Sequence, residues 1–258
     1  MDHVTSADGT DIAIDRTGAG PPVILVCGGS VDRMSNAGLA QHLARRFTVL
    51  NYDRRGRGDS GDTPPYAVER EVEDIQAVAG AAGGSAFLHG SSSGAALAME
   101  ASIQLDAITK LAMWEPPFIP EGGPRPPEDT VKTFTDLVES GRRGDAVEFF
   151  MAKMVGLPPE FIESARGAPF WPQQEALAHT LTYDASVMGD YSIPTERAAS
   201  VQVPTIVVAG GADFPWMPET AKTLAAAIPG AEVRRLEGQG HNVDPAVLAP
   251  VLIEFFSG

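Results

Sequence analysis

Strand-sized runs alternate with helix-length stretches along most of this chain, and that alternation constrains its fold more than any other feature. Pro22-Val23-Ile24-Leu25-Val26-Cys27 is a continuous apolar run, of the kind buried on both faces of a parallel sheet. A helical stretch over 37–45 leads into a second strand at 47–52. A helix over 67–79, a strand at 86–89, a helix over 93–105 and a strand at 108–114 continue the pattern. Before them, a hairpin is expected from a short strand at 3–6, a turn at Asp8-Gly9 and an alternating strand at 12–14. The rhythm stops near Pro116-Pro117 and resumes at 204–209, with a helix at 218–227, a strand at 231–236 and a last helix at 245–256. This order predicts an α/β fold: a mostly parallel sheet flanked by helices. Residues 1–117 and 201–258 would form the core. Residues 118–200, without a convincing strand, would be a helical insert over one end of the sheet.

At 258 residues, the chain is long enough to bury a substantial core. With 19 Lys+Arg against 34 Asp+Glu, the formal charge of −15 repels phosphate backbones and anionic lipid surfaces, which argues against nucleic-acid and membrane partners. Cys27 is the only cysteine, so neither an intrachain disulfide nor a cysteine zinc cage is available. The polar N-terminus and strand-sized apolar runs suggest a soluble, cytoplasmic protein.

The residues that carry chemistry sit where the alternation changes. Ser92 is the centre of Gly90-Ser91-Ser92-Ser93-Gly94, after a predicted strand and before a predicted helix. A sharp turn there lifts a serine hydroxyl above the sheet, and small neighbours let helix and strand approach. The pattern alone is a weak signal; its placement gives it weight. A serine nucleophile needs a base, and His241, in the loop before the last helix, is the best placed of the histidines. His89 reads as a packed core residue, while His3, His42 and His179 read as solvated or structural. The imidazole needs an acid to fix its tautomer. Asp213, just past the strand at 204–209, is preferred; Glu115, closing the strand at 108–114, is the competitor. Asp244 reads as a helix cap. Arg54, Arg55 and Arg57 form a local basic cluster expected to be ion-paired.

The order Ser92, Asp213, His241 resembles the α/β-hydrolase superfamily, whose triad runs serine, acid, histidine. Tyr52-Asp53-Arg54-Arg55-Gly56-Arg57-Gly58-Asp59-Ser60 is similar to that family's loop after its fourth strand. The resemblance implies a helical cap and an oxyanion hole made of the Gly29 and Ser93 amides. Cys27-Gly28-Gly29 departs from it, with cysteine where histidine is common. It also implies a small-molecule ester or lactone as substrate, with no metal or organic cofactor. Carbon–carbon bond hydrolysis, perhydrolysis and a non-catalytic ligand receptor are the alternatives the same fold permits. Trp171 and Trp216 are candidates for lining an apolar substrate pocket.

Overall fold

A computed structural model describes all residues, 1–258. Its strands are β1 (Asp2–Thr5), β2 (Asp11–Gly18), β3 (Pro22–Val26), β4 (Thr48–Tyr52), β5 (Ala86–Ser91), β6 (Ile108–Trp114), β7 (Thr205–Ala209) and β8 (Glu232–Arg235). They form one sheet in the order β1-β2-β4-β3-β5-β6-β7-β8. The β1–β2 and β2–β4 pairs are antiparallel, and every pair from β4 to β8 is parallel.

Burial explains the composition of the central strands. Val23, Ile24, Leu25 and Val26 are all inaccessible to solvent. Ile24 and Val26 face α2 (Val68–Ala81), α3 (Ser93–Gln104) and α10 (Met217–Ala227) in one apolar cluster. Val23 and Leu25 face α1 (Ala37–Leu43) and α11 (Pro245–Ser257) in the other. Each face of β3 is therefore covered, as a parallel sheet requires. Helix α11 begins as expected: Asp244 accepts a hydrogen bond from the Ala246 amide at 2.8 Å, and Pro245 occupies the first helical position.

Two local expectations differ from the structure. Strand β2 runs from 11 to 18 rather than 12 to 14, because it pairs with β1 on one side and with β4 on the other. The β4 partner is remote in sequence, so a short-range pattern does not show it. The expected helix over 37–45 is shorter, ending at Leu43, and is preceded by a 3-10 turn at Arg33–Asn36.

Between β6 and β7 lie α4 (Thr130–Glu139), α5 (Arg143–Phe149), α6 (Pro159–Arg166), α7 (Trp171–Leu177), α8 (Leu181–Met188) and α9 (Thr195–Ala198). A π-helical stretch, Phe150–Val155, continues α5. The only β pairing in this segment is an isolated bridge between Ile119 and Ser192. It has its own apolar cluster, with Phe134, Trp171 and Leu181 among its buried members. No helix of the chain is long and apolar enough to cross a membrane.

Register sets what meets at the carboxyl edge of the sheet. Val26 lies opposite Gly90, Ser91 opposite Trp114, and Trp114 opposite Val208. The segments leaving β3, β5, β6 and β7 therefore emerge side by side. The chain leaves β3 between β4 and β5, where the strand order reverses, and such a point opens a crevice above the strand ends.

His89, on β5, is fully buried, and that burial lowers its pKa from 6.5 to about 4. The fold keeps it neutral, while the unfolded chain takes up its proton as pH falls below about 6.5. Stability should therefore drop by about 2 kcal/mol between pH 7 and pH 5 on account of this group. Denaturant unfolding of wild type and His89→Gln at both pH values tests this. The variant should lose that part of the pH dependence, and an identical dependence in both proteins would refute the assignment.

Candidate active site

Strand β5 ends in a turn that only its small residues permit. Ser92 has φ 57° and ψ −130°, a conformation that non-glycine residues rarely adopt. A Cβ on Gly90 would collide with the Gly94 carbonyl, and one on Gly94 with the Cys27 carbonyl. Glycine at both positions thus lets α3 start directly against β5 and β3. The Ser92 amide donates to the Trp114 carbonyl at 2.9 Å, which ties the turn to β6. Ser93 opens α3, so its amide is one of the first-turn N–H groups that lack an intrahelical acceptor.

Ser92 and His241 line the same cavity, about 780 Å³ in volume. His241 sits in the loop between β8 and α11, and its backbone is held at both ends. Its amide donates to Asp213 Oδ2 at 2.8 Å, and its carbonyl accepts from Trp114 Nε1 at 2.9 Å. The Phe214 ring packs edge-on against the imidazole, with centroids 5.4 Å apart.

The carboxylate in contact with the imidazole ring is that of Glu115, not of the preferred Asp213. Glu115 Oε2 lies 2.8 Å from His241 Nδ1, and Glu115 is 1% exposed. Its other oxygen accepts the Gly210 and Gly211 amides at 2.9 and 3.0 Å. Those amides aim the carboxylate and fill its remaining acceptor positions. Asp213 is solvent-exposed, and its short side chain is engaged by the His241 backbone instead. The reason is local: β6 ends beside β7, and Glu115 at φ 43° turns its longer side chain under the His241 ring. Sequence order alone favoured the aspartate; the reach of the glutamate across two strand ends decides the contact.

The three arginines after β4 are ion-paired, but inside the protein rather than on its surface. Arg54, Arg55 and Arg57 are each at most 1% exposed. Arg55 pairs with Asp74 and Asp8 at 2.8 Å. Arg54 forms a two-pronged pair with Glu71 at 2.6 and 2.7 Å, and reaches Asp184 Oδ1 of α8 at 2.8 Å. Arg57 reaches the same Asp184 oxygen at 2.8 Å. Burial alone would raise the Asp184 carboxyl pKa, but the Arg57 and Arg54 charges outweigh it and hold the group below the usual carboxylate range. The same balance, with Arg54 dominant, keeps Glu71 low. Asp184 lies 130 residues from Arg54, so nothing in the local sequence singles it out.

Gly29 and Ser93, the two candidate amide donors, line the cavity with Ser92. Trp216 lines it as expected. Trp171 does not: it is buried in the core of the helical segment, with Arg166 over its ring. It follows the helical spacing of core residues and faces its own cluster. The insert contributes Phe150, Met154 and Tyr191 to the cavity wall instead. His89 is in the core, 3.2 Å from Ser91 Oγ through Nε2. His3 meets Asp11 at 2.9 Å near the surface.

The sequence pattern of the alpha/beta hydrolase family matches residues 23–251. The chain belongs to that family. An alpha/beta hydrolase of known structure from Sphaerobacter thermophilus DSM 20745 is 52% identical, with a TM-score of 0.91, over 99% of this chain and 100% of that one. An enol-lactonase from Burkholderia xenovorans LB400 is similar in fold, with a TM-score of 0.76 over the whole of both chains at 19% identity. The polyketide synthase ThaQ of Burkholderia thailandensis is 28% identical over 93% of this chain. The chain spans only 12% of that protein's length.

In this alpha/beta hydrolase, the backbone of Ser92 is held in a strained conformation. Holding a residue there costs about 1–3 kcal/mol, which glycine avoids at an entropic cost of about 0.5–1 kcal/mol. Ser92→Gly should therefore raise the unfolding free energy by about 1 kcal/mol. Equilibrium urea denaturation checks this, and a variant no more stable than wild type would show that the turn stores no strain.

Proposed function

We propose that the protein is a serine hydrolase that cleaves an ester or lactone of a small, mainly apolar molecule through an acyl-enzyme. The observation that carries this reading is the contact between the buried Glu115 carboxylate and Nδ1 of His241, whose ring shares a cavity with Ser92. A carboxylate at Nδ1 fixes the tautomer with its proton on that nitrogen and leaves Nε2 as the base. Nε2 takes the Ser92 proton as Oγ attacks the substrate carbonyl. The resulting tetrahedral oxyanion is held by the Gly29 and Ser93 amides. Collapse expels the leaving oxygen, which His241 protonates. Water then repeats the cycle on the acyl-enzyme, with His241 again as base. Glu115 stabilises the imidazolium in both halves without itself taking the proton.

The cavity supports an apolar acyl or ring group. Trp114, Phe150, Met154, Tyr191, Phe214 and Trp216 contribute to its walls. Several of these come from the segment between β6 and β7, which acts in this reading as a cap spanning residues 118–200. The enol-lactonase's likeness supports the fold, whereas the lactone substrate is read from the carbonyl chemistry of the site.

Steady-state hydrolysis of an ester chain-length series, lactones and β-diketones, with three variants, tests the reading. Ser92→Ala should abolish turnover. Glu115→Gln should lower kcat by about 10⁴ through loss of the fixed tautomer, whereas Asp213→Asn should cost about tenfold or less through the loop alone. The larger loss at Asp213 would return the acid role to it. Turnover confined to β-diketones would replace acyl-oxygen with carbon–carbon cleavage.

A further inference from the structure

The peptide that carries the Gly29 amide is gripped from behind by a side chain that the proposed reaction does not touch. The Gly28 carbonyl and the Gly29 N–H belong to one planar trans unit and point in opposite directions. The Gly28 oxygen accepts a hydrogen bond from Arg57 Nη1, which also donates to the Val31 carbonyl at 3.3 Å. Arg57 is buried beneath the loop, while Gly29 lines the cavity. Anchoring the oxygen on the guanidinium thus turns the N–H away from it, toward the space where a carbonyl oxygen would become negative. A charged donor on the carbonyl also polarises the peptide and makes its N–H a stronger donor, by about 10–30% per bond in such chains.

Arg57 is in turn oriented by Asp184. Asp184 Oδ1 accepts from Arg57 Nη2, Arg54 Nη1 and Ser93 Oγ, each at 2.8 Å. Asp184 Oδ2 lies 3.0 Å from where a Cβ on Gly29 would stand. One carboxylate oxygen, delivered by α8, therefore holds the residue of one oxyanion donor directly and the peptide of the other through Arg57. A second tie follows the same route: Gln174 Nε2 of α7 donates to the Ser30 carbonyl, next to Gly29, at 3.2 Å.

We propose that Arg57 and Asp184 are positioning residues for oxyanion stabilisation, so that the hole is aligned only when the helical segment is docked on the sheet through Asp184. This rests on the serine-hydrolase reading. Arg57 lies outside the cavity and Asp184 on its wall beside Gly29; in this proposal both act through the chain at Gly28, Gly29 and Ser93 rather than on the substrate carbonyl.

The test compares Arg57→Met, Arg57→Lys and Asp184→Asn with wild type and Ser92→Ala, using a p-nitrophenyl ester. Removing a donor outright costs about 10²–10³ in kcat, so a misaligned donor should cost about 10–10². Arg57→Lys keeps the charge but not the fork that spans Gly28 and Asp184, and should lose about tenfold. KM should stay within about twofold, because the ground-state carbonyl gains little from the hole. The Ki of a boronic acid that forms a tetrahedral adduct on Ser92 should rise by the same factor as kcat falls, a correlation that loosened packing alone would not produce. Thermal melts identify the folded variants; if Arg57→Met does not fold, Arg57→Lys and Asp184→Asn carry the test. A folded variant with wild-type kcat, or with its loss confined to KM, overturns the inference. A wild type inert towards the whole ester, lactone and β-diketone series overturns both readings, whereas an active wild type with inert Ser92→Ala and unaffected Arg57 variants overturns this one alone.

Discussion

The buried pairing of Arg54 with Glu71 and Asp184 is the interaction on which the arrangement of the carboxyl edge depends. Moving a guanidinium or a carboxylate out of water costs several kcal/mol per ion. Here two guanidiniums, Arg54 and Arg57, meet two carboxylates, Glu71 and Asp184, so the cluster is neutral. The pairing joins four pieces of chain that share no local sequence: the loop after β4, helix α2, helix α8 and, through the Cys27 and Gly28 carbonyls, the loop after β3. Removing one partner would strand a buried charge, a loss of about 3–5 kcal/mol in comparable cases. The rest of the loop follows the same logic. Asp53 accepts from the Arg33 side chain and from the Arg33 and Asp59 amides, and Arg55 ties the loop to α2 and the first hairpin.

The edge so fixed brings together residues from five separate segments. Ser92 comes from the end of β5, Glu115 from the end of β6, Gly210 and Gly211 from the end of β7, His241 from beyond β8 and Gly29 from beyond β3. Glu115 joins three of them, since one of its oxygens takes the β7 amides and the other the imidazole. A carboxylate with that set of donors has little freedom to rotate. The orientation of His241 is therefore inherited from the sheet rather than from its own loop.

That inheritance marks what the sequence could and could not disclose. The parallel sheet was legible, because apolar runs such as Val23–Val26 announce burial on both faces. The placement of Ser92 and His241 at one end of the sheet was legible too, because each sits at a junction between elements, and they line one cavity. The choice between Glu115 and Asp213 was not, because both follow strands that end at the same edge. What separates them is side-chain reach and the backbone conformation at Glu115, and neither is written in residue order. Trp171 failed for a related reason: helical spacing tells which face of α7 is apolar, but not whether that face meets a cavity or a core. The arginines were expected to be paired, yet their burial follows from Glu71 and Asp184, which only the tertiary structure brings to them.

The cluster around Asp184 is also imperfect, and its imperfections bear on why it exists. Arg57 Nε and Asp184 Oδ2 are both buried without a hydrogen-bond partner. Unsatisfied buried polar atoms are uncommon in folded proteins and are costly. Well-packed apolar residues of similar volume often stabilise a protein more than a buried ion pair does. A network kept for stability alone would gain by such replacement. It would lose the two things apolar side chains do not supply: a charged donor on the Gly28 carbonyl and an acceptor for the Ser93 hydroxyl. Those contacts lie on the two chain segments that present amides beside Ser92. The cost is thus concentrated beside the strained turn at Ser92 rather than in the apolar cores on either side of the sheet.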